Sequence, residues 1–261
     1  PLRAEISAWL SRSRGILVDP EDVFITAGAT HALRILSDLL CPHGEGVILG
    51  EPCHKGLYDT LLASNCAVIP VPADDHGICA ELLTSQMEAR MIYITPSHQF
   101  PLGGILPAAR RAVLIRFARE RDIYIVEDDY DSEFRFSGAP ISPLYALDAQ
   151  RVVYIGTFSK SVFPALRIGF ALLPRALQSR WKHLRTHNDV QNPILDQAAL
   201  AAFLQSRAFD RTIRASKGRY EKRRNVLIRA LISEYGEDCT ISGDAAGLHL
   251  SVRLKGYLFD D

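Results

Sequence analysis

The chain of 261 residues lacks a charge surplus, a Cys-x-x-Cys pair, a long apolar run, an internal repeat and any low-complexity segment. Its 30 Lys and Arg residues offset 30 Asp and Glu residues. Nucleic acids and anionic membranes select for a basic surplus, so this segment by itself does not read as their binder. The 5 cysteines, Cys41, Cys53, Cys66, Cys79 and Cys239, are an odd number, and the first four stand 12 to 13 residues apart without a companion histidine at ligand spacing. No metal site is expected from them, and the odd count suits a reducing compartment better than a disulfide framework. No run approaches the roughly 20 apolar residues that span a bilayer, and nothing resembles a signal peptide. The protein therefore reads as soluble and cytoplasmic. An initiator methionine is also missing: Pro1-Leu2-Arg3 leads straight into a helical pattern, which reads as a segment of a longer chain.

What is present is a globular composition, 48% hydrophobic and 23% charged, enough for a sizeable core. Seven β-rich runs recur: Val23–Thr26, Val47–Leu49, Val68–Val71, Met91–Ile94, Ile123–Val126, Val152–Ile155 and Ile168–Leu172. They are nearly continuous in apolar residues, as strands covered on both faces are. Helical patterns fall between them near 30–40, 54–64, 80–88 and 107–120. Alternating strand and helix predicts an α/β fold around a mostly parallel seven-stranded sheet. Residues 1–175 read as one large unit. Residues 176–206 read as connecting helices broken near Asn192-Pro193, and 207–261 as part of a smaller α+β unit with a strand pair at Thr240-Ile241 and His249–Val252.

Three constellations can carry chemistry. In Ile25–Leu33 a strand ends in small residues and a helix begins at once, which offers backbone N–H groups of Gly28, Ala29 and Thr30 to an anion; an ordinary tight turn reads the same way. In Val126–Asp131 three consecutive carboxylates, Glu127 to Asp129, follow a buried strand, where open α/β sheets bind ligands; a solvated acidic loop is the plain alternative, and no histidine stands near for a metal. In Gly156–Lys160 a lysine sits among hydroxyls, with Arg167 seven residues on. Such a lysine can form a Schiff base, and Thr157, Ser159 and Arg167 can hold a phosphate beside it; a surface lysine is the alternative. Together the three supply what a pyridoxal phosphate site requires: a phosphate cradle, an acid for the pyridine nitrogen and an attaching lysine.

The order cradle, acid, lysine resembles fold-type I pyridoxal phosphate proteins, the aspartate aminotransferase superfamily. More specifically, Thr95–Gly103, Glu127–Phe136 and Tyr154–Lys160 resemble the aminotransferase-like domain of MocR-type regulators in the GntR superfamily, over about residues 2–255. The resemblance implies that Lys160 is the Schiff-base lysine, that Asp128 rather than its rival Asp129 meets the pyridine nitrogen, and that Tyr130 donates to the ring hydroxyl. It places Gly28, Ala29, Thr30, Thr157 and Arg167 at the phosphate, and His98 and Gln99 in the motif facing the ring. At His54 the family usually carries an aromatic residue that stacks on the ring. Imidazole stacks over less area and can titrate near neutral pH, or can simply pack neutral.

The resemblance further implies a homodimer that senses an amino compound or pyridoxal phosphate itself. DNA would be bound only through a winged-helix domain that this segment does not contain, and the family's C-terminal carboxylate-binding arginine would lie beyond Asp261. A free-standing amino-acid aminotransferase is the rival reading, and a degenerate fold that only dimerises is a third. The basic stretch Arg211–Arg229 reads as a solvated helix face paired with acids, with auxiliary DNA contact as the lesser alternative.

Overall fold

The computed structural model describes residues 1–139 and 141–256; the last five residues of the expected smaller unit, 257–261, lie outside the described residues. Helix α1 (Leu2–Arg14) buries Leu2, Ile6, Trp9 and Leu10, one face at helical spacing, and ends on Gly15 in the left-handed conformation. An alternating series follows: β1 (Val23–Thr26), α2 (Ala29–Leu40), β2 (Gly46–Glu51), α3 (Lys55–Ala63), β3 (Ala67–Asp74), β4 (Gly77–Ile78), β5 (Ala89–Ile94), α4 (Ala108–Arg121) and β6 (Tyr124–Asp129). The short α5 (Leu144–Leu147), β7 (Val152–Thr157) and β8 (Gly169–Leu172) complete the sheet.

The strand order is β1-β8-β7-β6-β5-β2-β3-β4. Strands β3, β2, β5, β6 and β7 are parallel, whereas β8 runs antiparallel to both β7 and β1. All six residues of β7 are buried, which is why its run VVYIGT does not alternate. Side chains on one face of the sheet join a core with Trp9, Phe158 and Phe209, and those on the other join Leu36, Leu39 and Trp181. Helices α6 (Arg175–Asn188) and α7 (Ile194–Gln205) separate at Pro193, and α8 (Ala208–Tyr235) continues unbroken through Gly218 to a strand pair, β9 (Cys239–Ser242) and β10 (Ser251–Leu254). No helix among the described residues is long and apolar enough to cross a membrane.

The sheet has eight strands rather than the expected seven. The addition is the two-residue β4, which returns on β3 through the Asp75-His76 turn and is too short to show a pattern. The helix expected near 80–88 is only a single tight turn at Ala80–Leu82, with Leu82 facing solvent. Strand β10 begins two residues later than expected. His249 belongs instead to a connecting loop whose backbone docks onto the larger unit: Gly247 N–H donates to Phe134 O at 2.7 Å, and Leu248 N–H to Asp131 Oδ2 at 3.1 Å.

Candidate functional site

The acidic run is not a solvated loop. Glu127, Asp128 and Asp129 lie within β6, paired in register with Ile94 of β5 and with Tyr154, Ile155 and Gly156 of β7, and all three are buried. Each carboxylate has its own task. Glu127 accepts the N–H groups of Leu144 and Tyr145 at 3.0 and 2.9 Å, capping α5. Asp129 pairs with Arg14 at 2.6 Å and accepts the Tyr154 and Ser132 hydroxyls. Asp128 faces the other way, into a cavity of about 670 Å³. One of its oxygens accepts the Tyr93 hydroxyl, while Oδ1 is buried with no partner among the described residues. Burial lifts the Asp128 carboxyl to about 7, and Asp129 and Asp131 add to the rise, while the Tyr93 hydroxyl opposes it.

The cavity sits at the carboxyl ends of the parallel strands, where this class of sheet places ligands. Ala29 and Thr30 of the first turn of α2 line it together with Thr157, Ser159, Lys160 and Arg167. Gly28 is the N-cap of α2, adopts φ +90°, and supplies no side-chain cap, so the first N–H groups of this twelve-residue helix have no side-chain acceptor. A Cβ at Gly28 would come 2.9 Å from Arg167 Nη2, so a side chain there would fill the space between guanidinium and helix end. Arg167 itself is anchored by a 2.8 Å bond from Nη2 to Ala27 O. Thr157 and Ser159 share a 3.0 Å hydroxyl contact beside Lys160. This cradle suits a phosphate, and the unpartnered Asp128 oxygen suits a protonated ring nitrogen.

Tyr130 lines the cavity and donates to His98 O at 3.0 Å; its hydroxyl titrates well above the ordinary range because of burial and the neighbouring Asp131 and Asp128 charges. Gln99 also lines it, but its amide is committed to backbone, donating to Pro52 O at 2.9 Å and accepting from Leu102 N–H at 2.8 Å. His54 stands at the wall as the N-cap of α3: Nδ1 accepts the Leu57 N–H at 3.2 Å and its ring meets Phe100 edge-on. His98, expected in the motif facing the ring, is absent from the cavity wall. It is buried behind Tyr130, with Nδ1 3.0 Å from Asp131 Oδ2.

Three neighbours escape the sequence reading. Tyr93 holds Asp128, and Leu248 and His249 enter the wall from the loop before β10. His249 bonds through Nε2 to Pro101 O at 3.1 Å and is held well below the ordinary histidine range, at about 4, by burial and by His98. Tyr93 is the penultimate residue of β5, as Asp128 is of β6 beside it, and these strand ends were the available signal. His249 carried none, because its approach depends on the loop docking. The expectation that no histidine lies near the acidic run also fails in space: donor atoms of His98, Asp131 and His249 lie within 4.8 Å of one another.

The sequence model of aminotransferase class I and II matches residues 1–255. The probable rhizopine catabolism regulatory protein MocR of Rhizobium meliloti is 35% identical over 261 residues, all of this chain and 53% of that protein. The pyridoxine biosynthesis transcriptional regulator PdxR of Corynebacterium glutamicum is 34% identical over 87% of this chain and 49% of its own length. The chain thus spans about half the length of these relatives. Among solved structures, the α-aminoadipate aminotransferase LysN of Thermus thermophilus, complexed with N-(5'-phosphopyridoxyl)-L-leucine, superposes with a TM-score of 0.88 at 27% identity, covering 98% of this chain and 66% of that one. An archaeal alanine:glyoxylate aminotransferase gives 0.91 at 25% identity, over 98% of this chain and 65% of that one.

Proposed function

Since the chain belongs to the aminotransferase class I and II family, we propose that it is the pyridoxal phosphate-binding, effector-sensing part of a MocR-type transcriptional regulator. The observation that carries this reading is the convergence on one cavity of Lys160, a buried Asp128 oxygen without a partner, and the uncapped start of α2 beside Arg167. When bound, pyridoxal phosphate supplies an electrophilic carbonyl and an electron-withdrawing ring. Gly28, Ala29, Thr30, Thr157 and Arg167 bind the phosphate through N–H, hydroxyl and guanidinium donors. Asp128 keeps a proton on the ring nitrogen, and Tyr93 orients the Asp128 carboxylate. Tyr130, whose hydroxyl donates to His98 O here, would turn it to the ring oxygen, while His54 and Gln99 would bound the ring on the α3 side. Lys160 would supply the amine that attaches the cofactor, and an incoming amino compound would compete for the same position. Whether the Lys160 amine is engaged or free would then be the local difference that a second arrangement of the protein can read.

A homodimer and DNA contact through a winged-helix segment complete the proposal. A free-standing aminotransferase needs the same Lys160, Asp128 and Tyr130, so the site alone does not separate the two. The regulators at 34–35% identity favour sensing. The test has two parts. Borohydride reduction after mixing with pyridoxal phosphate should leave a phosphopyridoxyl group on Lys160, located by peptide mass spectrometry; its absence in folded protein overturns the cofactor assignment. Operator binding by the complete regulator should then change with amino compounds, and lose that response in Lys160→Ala. Steady-state transamination without such a response would instead favour the enzyme.

A further inference from the structure

A separate cavity of about 440 Å³ lies on the side of β6 that Asp129 faces, and it shares no wall residue with the first. Its apolar wall includes Trp9, Phe209 and Ile213, and its polar wall Arg14, Glu133 and Lys217. Most of the charges around it are already committed. Arg14 pairs with Asp129 at 2.6 Å, and Asp210 pairs with Arg207 at 3.1 Å. Arg111 spends its guanidinium on the carbonyls of Leu106, Ser142 and Pro96 at 2.8 to 3.0 Å. Two cations remain: Arg214 and Lys217, three residues apart on α8 and so on one face, have no hydrogen bond or ion pair among the described residues. Arg135, also in the wall, holds only Gly138 O at 3.3 Å.

Glu133 shares the wall with these cations but forms no ion pair with either among the described residues. Burial first, and then the Asp129 charge, raise the Glu133 carboxyl to about 8, so near neutral pH it carries a proton and can donate it. Its Oε2 is buried without a partner among the described residues. A concave space with free cations, one protonated acid and an aromatic wall suits one compact anion attached to an apolar group. We infer that this cavity is a second ligand site, for a small monocarboxylate with an apolar body. Its carboxylate sits between Arg214 and Lys217, near the Glu133 carboxyl, and its body lies against Trp9, Phe209 and Ile213. The site does not depend on the cofactor reading. It adjoins the first site along the chain at Pro96-Ser97 and Ile105-Leu106 and across β6, where Asp128 lines the first cavity and Asp129 holds Arg14 of the second.

The experiment uses isovalerate as the probe, measured by calorimetry on the wild-type chain. The chain has 2 tryptophans, so Trp9 emission in a Trp181→Phe background gives a reporter inside the cavity. Saturable binding in the millimolar range or tighter is expected, with a change in Trp9 emission. Lys217→Met combined with Arg214→Met should weaken it roughly tenfold or more, because both act through charge-assisted bonds. Arg167→Met, in the other cavity, should leave it unchanged. Uncharged isovaleramide should bind much more weakly, and inorganic phosphate should compete poorly. No saturable heat, equal binding of the amide, equal competition by phosphate, or loss of binding in Arg167→Met would each overturn the assignment; the last would place the anion in the first cavity. Calorimetry on wild type keeps the test valid if Trp181→Phe does not fold.

Discussion

Asp128 and Asp129 are neighbours on β6 that face opposite sides of the sheet: Asp128 lines the larger cavity, and Asp129 is locked through Oδ2 to Arg14 at 2.6 Å. Strand alternation makes this unavoidable once the strand continues through both residues. It gives two adjacent acids opposite responses to the same substitution.

Asp128→Asn should weaken pyridoxal phosphate binding while making the cofactor-free chain more stable near pH 8, by about 1 to 3 kcal/mol. The sign follows from the raised carboxyl, at about 7 in the fold. Between its unfolded range and that value, the unfolded chain releases the proton more readily, so stability falls as pH rises. Asparagine removes the buried charge. Asp129→Asn should instead destabilise by about 3 to 5 kcal/mol, since it strands the buried Arg14 cation. Urea melts with absorbance titration of the cofactor check both; a stabilised Asp129→Asn would refute the assignment of tasks.

How far the sequence reached follows from which signals are local. Continuous apolar runs located the main strands of the parallel sheet because burial on both faces leaves no alternation to misread. The parts of the larger cavity that come from the ends of β1, β6 and β7 were legible for the same reason: each lies where an apolar run stops. The strand end at Asp129 was misread, because acids inside a buried strand look like the start of a loop until Arg14, Tyr93 and the α5 N–H groups are seen to meet them. Likewise His98 reads as a site residue from its motif, yet a long-range bond to Asp131 draws it behind Tyr130. The basic face of α8 is exposed as expected but is not paired with acids: among the described residues Arg214, Lys217, Lys222 and Arg223 have no carboxylate partner. Pairing across space is not written in periodicity.

His54 should separate capping from ring contact. His54→Asn retains a side-chain acceptor for the Leu57 N–H, whereas His54→Ala does not. The alanine variant should be less stable than the asparagine variant by about 1 kcal/mol. Both lose the ring equally, so their cofactor affinities should fall together. Chemical denaturation and cofactor titration measure the two effects; equal stabilities would show that the cap contributes nothing.

His249 should make the chain less stable as pH falls from the ordinary histidine range toward about 4. Its folded form resists the proton that the unfolded chain accepts, so the unfolded state binds more protons in that window. Stability is then highest above the window and lost through it. The residue is only half-buried, so screening keeps the effect to about 1 kcal/mol. His249→Phe should flatten the pH profile between those limits, read by urea melts at each pH. An unchanged slope would place the proton elsewhere.

Gly28→Ala should report on the phosphate cradle. The backbone there has φ +90°, which L side chains rarely adopt, and the added methyl would stand 2.9 Å from Arg167 Nη2. Arg167 must then leave the helix end, separating the guanidinium from the N–H groups that together make the anion site. Pyridoxal phosphate affinity should drop roughly tenfold or more, about 1.4 kcal/mol. Pyridoxal, which lacks the phosphate, should bind the variant and the wild-type chain almost alike. That contrast isolates the cradle from any general loss of folding, because damage to the fold would weaken both ligands. Equal losses would mean that Gly28 serves the β1–α2 turn alone, and the phosphate would have to be sought among Thr157, Ser159 and Lys160.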